Sequence, residues 1–228
     1  MRLRIATYNI HRCVGRDGVA STGRIAAVLR QINPDIAALQ EVGSNGASRR
    51  NVLDPLAEAL RAEAVLGPTM TDRRGPYGNA ALTRVPPHHI RRLDLSLPGR
   101  EPRGALDLAI RLNGRSIRIV TTHLGLRPGE RRYQMRRVLQ LLDRGTAAVT
   151  ILLGDFNEWF QWGRPLRWAN RRFSPMPAPA TFPSHRPVLA LDRIWVQPAG
   201  RLLAMAAHSS PSAREASDHL PLVADVGI

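Results

Sequence analysis

Apolar segments of strand length in this chain repeatedly end in polar side chains that can bind a cation or transfer a proton. In residues 151–157 an Ile-Leu-Leu run reads as a buried strand, a glycine interrupts it, and Asp155 and Asn157 follow. Gly, Asp and Asn are also common turn residues, so this stretch alone predicts only a turn. The other strand ends decide whether it is more than that.

The same kind of ending occurs at several other places. Tyr8-Asn9-Ile10-His11, Gln40-Glu41 and Thr121-Thr122-His123 end three further predicted strands, and Ser217-Asp218-His219 precedes the last one. Asp192 lies inside the apolar run LALDRIWV, where burying an acid is costly unless the acid is paired. One such ending is a turn, whereas five or six of carboxylate, amide and imidazole type predict that the side chains converge on one site.

Hydrophobic periodicity predicts a strand-rich chain with several helices. The predicted strands cover residues 3–8, 35–42, 79–83, 89–95, 105–112, 116–122, 148–153, 191–197, 201–207 and 221–226. Helices are predicted to begin at Ser21, at Asp54-Pro55 and at Gly129, and a short one follows the aromatic loop near residue 160. The first helix ends at Asn33, because a residue that precedes proline avoids helical geometry.

This arrangement of elements predicts two sheets packed together with helices outside. Asn113-Gly114 is a strong hairpin turn between two of the strands. The proline-dense segment 174–187 reads as an irregular loop rather than a linker, because too little chain follows it to make a second domain. We therefore expect residues 1–228 to form a single α/β domain.

Composition limits the functional classes. The chain is 43% hydrophobic, enough for a sizeable core, and no apolar run approaches the roughly 20 residues of a membrane-spanning helix. Its N-terminus does not resemble a secretory signal, and Cys13, the only cysteine, excludes an internal disulfide, so we expect a cytoplasmic protein. We also expect a monomer.

The net charge of +15 favours an anionic substrate. All 33 basic residues are arginine, and they are scattered along the chain without forming a block. Such usage, together with abundant alanine, indicates a GC-rich genome more simply than selection for phosphate binding. Nucleic acid and phospholipid both remain open as partners.

The residue types at the strand ends suit a specific chemistry. Carboxylates with an amide oxygen, and no cysteine cluster, are ligands for a hard cation such as Mg²⁺ rather than for zinc. Asp218 and His219 are adjacent, so both can serve one site only if they lie on a loop, which the preceding PSAREAS segment favours. A histidine oriented by a buried acid is a usual general base, and Asp192 is an available partner for it.

The chain resembles the endonuclease/exonuclease/phosphatase superfamily, which includes deoxyribonuclease I, exonuclease III-type enzymes, neutral sphingomyelinases and inositol-polyphosphate 5-phosphatases. The matching pieces stand in family order from residue 7 to residue 222: TYNIH, LQEV, YGNAAL, TTHL, GDFNE, LDRIWV and SDHLPL. The resemblance implies a four-layer αββα sandwich of two mostly antiparallel sheets with helices outside, and a site at one edge of the sheets. TTHL resembles deoxyribonuclease I, the sphingomyelinases and the phosphatases rather than the apurinic-site endonucleases, which argues against a DNA-repair role.

The resemblance also implies a metal site. Glu41 is implied as the main Mg²⁺ ligand, with Asn9 and Asp218 completing or supporting the site, and Mn²⁺ able to substitute. Asp155 and Asn157 are implied to contact the attacking water and the scissile phosphate.

Two histidines complete the implied machinery. His219, held by Asp192, is implied as base or transition-state stabiliser, and His123 as the group that binds the phosphate or assists the leaving group. Which residue takes the proton stays open.

Further residues receive weaker readings. Asn79, Arg103 and His11 are candidates for substrate binding, although each could equally be a turn or surface residue. We expect the aromatic cluster Trp159, Phe160, Trp162 and Trp168 to form a local hydrophobic cover, with a substrate-facing or lipid-facing surface as the alternative. Cys13 and Glu158 are expected to pack without taking part in chemistry.

The sequence thus predicts a metal-dependent phosphoric ester hydrolase, foremost a phosphodiesterase. A nuclease acting on DNA or RNA is the alternative within the enzyme class. From another class, the alternative is a non-catalytic module that binds nucleic acid or anionic membrane through arginines.

Overall fold

The computed structural model describes residues 1–43, 52–72 and 75–228, the side chain of Asp72 excepted. Its strands are β1 (Arg2–Asn9), β2 (Ile36–Val42), β3 (Glu63–Asp72), β4 (Gly75–Thr83), β5 (Pro87–Asp94), β6 (Gly104–Leu112), β7 (Arg115–His123), β8 (Val149–Asp155), β9 (Asp192–Gln197), β10 (Leu202–Ala207) and β11 (Leu222–Gly227). Its α-helices are α1 (Thr22–Ile32), α2 (Leu53–Leu60), α3 (Pro128–Leu142), α4 (Arg164–Phe173) and α5 (Pro211–Ala216). Short 3₁₀ segments cover His11–Cys13 and Ala199–Arg201.

The strands form two sheets. Six strands in the order β10-β11-β1-β2-β4-β3 make one sheet, and five in the order β5-β6-β7-β8-β9 make the other. The pairs β1–β2 and β7–β8 are parallel and the remaining pairs are antiparallel. The prediction of two mostly antiparallel sheets in an α/β sandwich is confirmed.

Three apolar layers separate the four structural layers. One lies between the six-stranded sheet and the helices α1, α2 and α5, one lies between the two sheets, and one lies between the five-stranded sheet and the helices α3 and α4. Alternation along each strand divides its side chains between two of these layers. In β1, for example, Leu3 and Ile5 pack between the sheets, whereas Ala6 and Tyr8 face the helices.

The first helix illustrates how the sequence sets an element. Ser21 caps α1 by accepting a hydrogen bond from the backbone N–H of Arg24, and Asn33 ends it in the left-handed conformation with φ 50°. The predicted apolar face of this helix is buried against the six-stranded sheet. Across the described ranges, no helix combines the length and the apolar character needed to cross a bilayer.

The structure corrects two local predictions. β3 was not predicted, because Gly67 and Pro68 interrupt its pattern; it is an edge strand, where proline is tolerated, and its pairing with β4 is irregular at Pro68. The PSAREAS segment was expected to be a loop, but it contains α5. Ser210, whose side chain accepts from the N–H of Ala213, and Pro211 at the first helical position are helix-start signals that the prediction overlooked.

Candidate active site

The predicted site residues meet at one edge of the two sheets because of strand alternation. The inter-sheet series of β1 ends at Asn9, and the same series ends at His123 in β7 and at Asp155 in β8. β9 runs antiparallel to β8 and begins at Asp192, which pairs with Asp155. All four side chains are buried. The space that is filled by aliphatic side chains further inside is therefore polar at this edge.

Glu41 reaches the site through an irregularity in β2. Regular alternation would place Glu41 on the helix side with Leu39, away from Gln40. The register between β2 and β4 shifts between Leu39 and Val42, and Glu41 takes a left-handed backbone with φ 55°. Its carboxylate consequently accepts a hydrogen bond from Asn9 Nδ2 at 3.0 Å. A bulge that re-aims a side chain is a common device near active sites.

Gly154 is required for the close approach of β7 and β8. Its φ is 143°, and a Cβ at this position would lie 1.9 Å from the carbonyl oxygen of Thr122. The glycine therefore permits the parallel pairing that brings His123 opposite Asp155. Gly154 is therefore needed for the pairing of β7 with β8 as well as for the turn that follows.

Asp155 is the centre of the hydrogen-bond network. Its Oδ1 accepts from the N–H of Asn157 at 2.9 Å, and its Oδ2 accepts from Asn9 Nδ2 at 3.1 Å. The Nε2 atoms of His123 and His219 lie 3.5 and 3.7 Å from the same Oδ2. Residues 155–157, which the sequence alone predicts only as a turn, thus lie where side chains from both sheets and both histidines meet.

His219 is paired with Asp192, the partner that the sequence offered. Its Nδ1 lies 2.8 Å from Asp192 Oδ2, which also accepts a 2.6 Å hydrogen bond from the hydroxyl of Thr181. Burial, the largest single effect, lowers the pKa of His219, but the carboxylates of Asp192 and Asp155 outweigh it and raise the pKa to about 10. His219 is therefore an imidazolium at neutral pH.

His123 has the opposite protonation state. Burial, and then the charge of Arg103, lower its pKa to about 3, so the ring is neutral. Arg103 Nη1 lies 3.1 Å from its Nδ1, and Asn157 Nδ2 lies 3.0 Å from its Nε2. A neutral imidazole offers one acceptor nitrogen, so it cannot satisfy both donors. Each donor also has a second acceptor, since Arg103 Nη1 lies 3.1 Å from Glu101 Oε1 and Asn157 Nδ2 donates to the carbonyl of Leu124 at 2.8 Å.

The oxygen ligands predicted for a metal lie beside this network. Asn9 Nδ2 bridges Glu41 and Asp155, so this amide orients both carboxylates, while its Oδ1 accepts from the N–H of His11. The side chain of Asp218 is 40% exposed, with its Oδ1 3.9 Å from His11 Nδ1. Glu41 and Asp218 are the partly exposed carboxylates beside the buried Asn9 amide, and oxygen atoms of these types suit a hard divalent cation.

A second acidic group is tighter but already internally bonded. Ligand atoms of Asp155, Asp192 and His219 lie within 4.8 Å of one another and could hold a metal. However, Asp192 and His219 are hydrogen-bonded to each other, and Asp155 accepts from two other groups. The carboxylates on the Glu41 side differ in being partly exposed.

The three residues predicted to bind substrate lie beside the site, two in a small cavity and one at the mouth. Asn79 and Arg103 line a small cavity with Glu41 and His123, and Asn79 Nδ2 donates to the carbonyl of Gly104 at 2.9 Å. His11 lies at the mouth, within the left-handed 3₁₀ segment, and is 44% exposed at its side chain. All three are thus adjacent to the predicted machinery.

The aromatic cluster is not the cover that we expected. Trp159, Phe160 and Trp162 are 62%, 53% and 72% exposed, and only Trp168 is half-buried, beneath the guanidinium of Arg136. The expectation failed because Glu158 takes the interior position in this loop. The carboxylate of Glu158 is buried and lies 3.0 Å from the guanidinium of Arg131. Cys13, elsewhere in the chain, is buried as predicted.

Three supporting residues were missed by the sequence reading. Thr181 holds Asp192, Gln40 links Thr7 to Thr121 between the sheets, and Ser217 Oγ donates to the carbonyl of Asn9 at 2.7 Å. Gln40 stands beside Glu41 in a strand-ending pair, so a signal existed for it. Thr181 lies in the proline-dense loop, where nothing in the sequence pattern indicates its partner.

A sandwich of this topology with this polar edge defines a class of metal-dependent phosphoesterases and nucleases. The chain belongs to the endonuclease/exonuclease/phosphatase family, whose model matches residues 6–219. The Escherichia coli (strain K12) protein YbhP, named as uncharacterized, is 30% identical over 254 residues, which span 98% of this chain and 95% of the relative.

Solved structures agree on the fold. An endonuclease/exonuclease/phosphatase from Beutenbergia cavernae DSM 12333 is 25% identical with a TM-score of 0.79, covering 99% of this chain and 72% of that chain. D. rerio TDP2 in complex with a single-strand DNA product is 19% identical with a TM-score of 0.74, covering 100% of this chain and 99% of that chain. At that identity the second likeness concerns the fold alone.

Proposed function

We propose that this protein is a Mg²⁺-dependent phosphodiesterase, with residues 1–228 acting as one catalytic domain. The single observation that carries the proposal is the hydrogen-bonded cluster at the sheet edge, where Asp155 joins Asn9, Asn157 and the two histidines. A module that only binds an anion would have no use for buried carboxylates in that cluster. This argues for the enzyme over the non-catalytic alternative.

Glu41, with Asn9 and Asp218, is proposed to hold the cation, and Mn²⁺ could substitute because it accepts the same oxygen ligands. The bound cation would neutralise charge on the phosphate oxygens. The partly exposed carboxylates at the mouth and the Asn9 bridge to Glu41 support this assignment.

The remaining residues supply the proton and hydrogen-bond chemistry. In-line attack by water on a phosphodiester concentrates negative charge on the non-bridging oxygens. His219, as an imidazolium, and Asn157 would donate to that charge from a preorganised position. Because His219 already carries its proton, Asp155 is the better candidate to orient the water and receive a proton.

His123 and Arg103 are proposed as the phosphate-binding pair. Two donors compete for the single acceptor of the neutral imidazole, and Arg103 Nε is buried with no hydrogen-bond partner within the described ranges. A phosphate oxygen would accept from the guanidinium and end that competition. Asn79, on the same small cavity, and His11, at the mouth, are proposed to contact the rest of the substrate.

A substrate panel tests the function directly. Plasmid DNA, RNA, sphingomyelin, cardiolipin, inositol phosphates and bis-p-nitrophenyl phosphate are each incubated with Mg²⁺, Mn²⁺ or EDTA. The proposal expects metal-dependent cleavage of at least one diester. Cleavage confined to DNA or RNA would establish the nuclease alternative, which the single-strand DNA product bound by the D. rerio neighbour keeps open.

Glu41→Gln is expected to abolish turnover and to weaken Mg²⁺ binding at least about tenfold, because it removes the charge that holds the cation while leaving an amide of the same shape. Calorimetric titration with Mg²⁺ and circular dichroism check affinity and fold. Glu58→Gln, at an exposed position of α2, is the control. Full activity of the Glu41 variant, or of wild type in excess EDTA, would refute the metal assignment.

A further inference from the structure

Three exposed aromatic side chains project from the loop that follows the site. Trp159, Phe160 and Trp162 come two, three and five residues after Asn157, so none can lie more than about 18 Å along the chain from it. All three are more than half exposed. Several exposed apolar side chains gathered in one short segment mark an interaction site. We call these three residues the aromatic patch.

The patch is held in place rather than loosely exposed. A hydrogen bond from the N–H of Gly163 to the carbonyl of Phe160, 2.8 Å long, closes the turn that carries Trp162. Gly163 packs on Glu158 with no room for a Cβ, and Glu158 is fixed by its buried ion pair with Arg131. The framework therefore presents these apolar side chains to solvent, which is costly unless something covers them.

Arg131 also connects the patch to a fourth exposed apolar residue, Leu126. Its Nη1 donates to the carbonyl of Leu126, whose side chain is 69% exposed in the loop after β7. The loops that leave His123 and Asn157 are thus joined by one guanidinium. Each of them carries exposed apolar surface close to the site.

Arginines surround the patch. A groove of about 460 Å³ beside Phe160 and Trp162 is also lined by Arg132, Arg164 and Arg167. Within the part of the chain that the structure describes, none of these three guanidinium groups has a carboxylate within 4.0 Å. Residues 159–191 contain five arginines and no acid. Arg172 is paired with Asp143, and Glu158 at the groove is paired with Arg131, so among the described residues the unpaired positive charge beside the patch is that of Arg132, Arg164 and Arg167.

We propose that the aromatic patch and its arginines form a docking surface for anionic phospholipid bilayers. Tryptophan and phenylalanine flanked by arginine are the side chains that anchor proteins at the lipid headgroup region. Anionic headgroups complement the unpaired guanidinium groups. Docking would set the catalytic edge against the membrane surface.

The geometry favours a bilayer over single-stranded nucleic acid. Base-stacking platforms leave aromatic faces open to successive bases. Here the rings of Phe160 and Trp162 contact each other, with centroids 5.2 Å apart and an angle of 31°, so no base can enter between them. Leu126 has no face on which a base could stack. Aliphatic and aromatic groups together suit partial insertion among lipids.

The docking surface does not depend on the proposed activity. Its consequence for the substrate, namely a phosphodiester of an anionic phospholipid, does rest on the proposed function. Binding is therefore measured in EDTA with the Glu41→Gln protein, using vesicles of phosphatidylcholine alone or mixed with phosphatidylglycerol. A failed activity assay then leaves the docking result intact. Failure to bind vesicles likewise leaves the activity result intact.

Co-sedimentation should show binding to the mixed vesicles and little binding to phosphatidylcholine alone. Phe160→Ala/Trp162→Ala should weaken binding at least about tenfold. Arg164→Gln/Arg167→Gln should weaken it by about fivefold per arginine. The matched controls are Leu203→Ala, an exposed apolar residue on β10, and Arg111→Gln/Arg115→Gln at the distant β6–β7 hairpin. These controls should bind like the parent protein.

A second measurement keeps the test decisive if a variant folds poorly. Brominated lipids in the mixed vesicles should quench the tryptophan fluorescence of the unaltered patch. Absence of both sedimentation and quenching would overturn the proposal, as would aromatic variants that bind normally. Patch variants that lose a single-stranded oligonucleotide instead of vesicles would overturn it in favour of nucleic acid. Hydrolysis of bis-p-nitrophenyl phosphate should be unchanged in every patch variant.

Discussion

At the scale of single residues, Asp155 stands between two imidazoles of opposite protonation. His219 carries a proton because Asp192 and Asp155 stabilise its charge against the cost of burial, and His123 is neutral because burial and Arg103 disfavour its charge. Groups whose surroundings drive their pKa values apart are typical of acid and base roles. The carboxylate between them is the residue whose loss should separate catalysis from folding.

Asp155→Asn should lower kcat by about 10²–10⁴ with little change in melting temperature. The amide oxygen can still accept from the N–H of Asn157, and the imidazolium keeps Asp192 at 2.8 Å, so the turn and the His219 pairing are kept. The bond that Oδ2 accepts from Asn9 Nδ2 is lost. Steady-state kinetics measures the change in kcat, and thermal unfolding measures the change in melting temperature. Asp107→Asn is the converse control, because it breaks a buried ion pair with Arg118 outside the site. A variant that melts early but turns over normally would return Asp155 to the role of a turn residue.

His123 should make the fold sensitive to acid. Its pKa is about 3 in the folded chain against 6.5 for an ordinary imidazole, so the unfolded chain binds more protons below pH 6.5. The free energy of unfolding should therefore fall as the pH drops from about 6.5 towards 3, by up to about 1.4 kcal/mol per pH unit for one proton.

Urea unfolding of His123→Gln between pH 4 and pH 7 should show a shallower fall than wild type. His88→Gln, at an exposed histidine, should keep the wild-type slope. An unchanged slope in the His123 variant would contradict the neutral assignment.

At the scale of elements, two strand irregularities build the site. The left-handed residue in β2 turns Glu41 towards Asn9, and Gly154 lets β7 and β8 approach closely. Both features lie within strands that otherwise bury aliphatic side chains between the sheets. The strands supply rigidity, and the irregular positions aim the polar groups.

Gly154→Ala should destabilise the protein much more than an ordinary glycine substitution. Its Cβ would meet the carbonyl of Thr122 at 1.9 Å, so the parallel pairing must shift. Gly99→Ala is the matched control, because Gly99 also has a positive φ but nothing within 4 Å of the added Cβ. We expect about 1 kcal/mol for the control and several times that for Gly154→Ala. Equal losses in chemical denaturation would show that backbone strain alone makes Gly154 necessary.

At the scale of the whole molecule, positive charge is abundant, and the arginines are scattered along the chain without forming a block. A few arginines are paired within the protein, for instance Arg118 with Asp107 and Arg131 with Glu158. Others surround the aromatic patch beside the site. The net charge of +15 already subtracts the paired acids, so it is carried by arginines that are spread along the chain.

Binding to duplex DNA should be weak at physiological salt. Fluorescence anisotropy across a salt series measures the slope of log affinity against log salt, which is about 0.9 per phosphate neutralised. We expect a shallow slope, corresponding to few phosphates. Tight binding with a steep slope would contradict the genome-composition reading of the arginines and strengthen the nuclease alternative.

Much of the fold was accessible from the sequence, because burial imposes a local periodicity. The alternating runs of β1 and β7, the continuous apolar run of β8 and the capped apolar face of α1 are local patterns. The structure confirms these elements within a few residues at their ends. The edge strand β3 was not predicted, because its glycine and proline read as strand breakers. A strand that pairs on one side only tolerates both residues.

What the sequence determined by itself was the set of chemical groups at the strand ends, since residues such as Asn9, Asp155 and His219 are readable as types in order. Only the tertiary structure decided their relations. The bond from Thr181 to Asp192, the return of Glu41 to the inter-sheet side and the outward aromatic patch depend on contacts between distant segments. The physical reason is that periodicity records which side of an element is buried, whereas a site is defined by which separate elements meet at its edge.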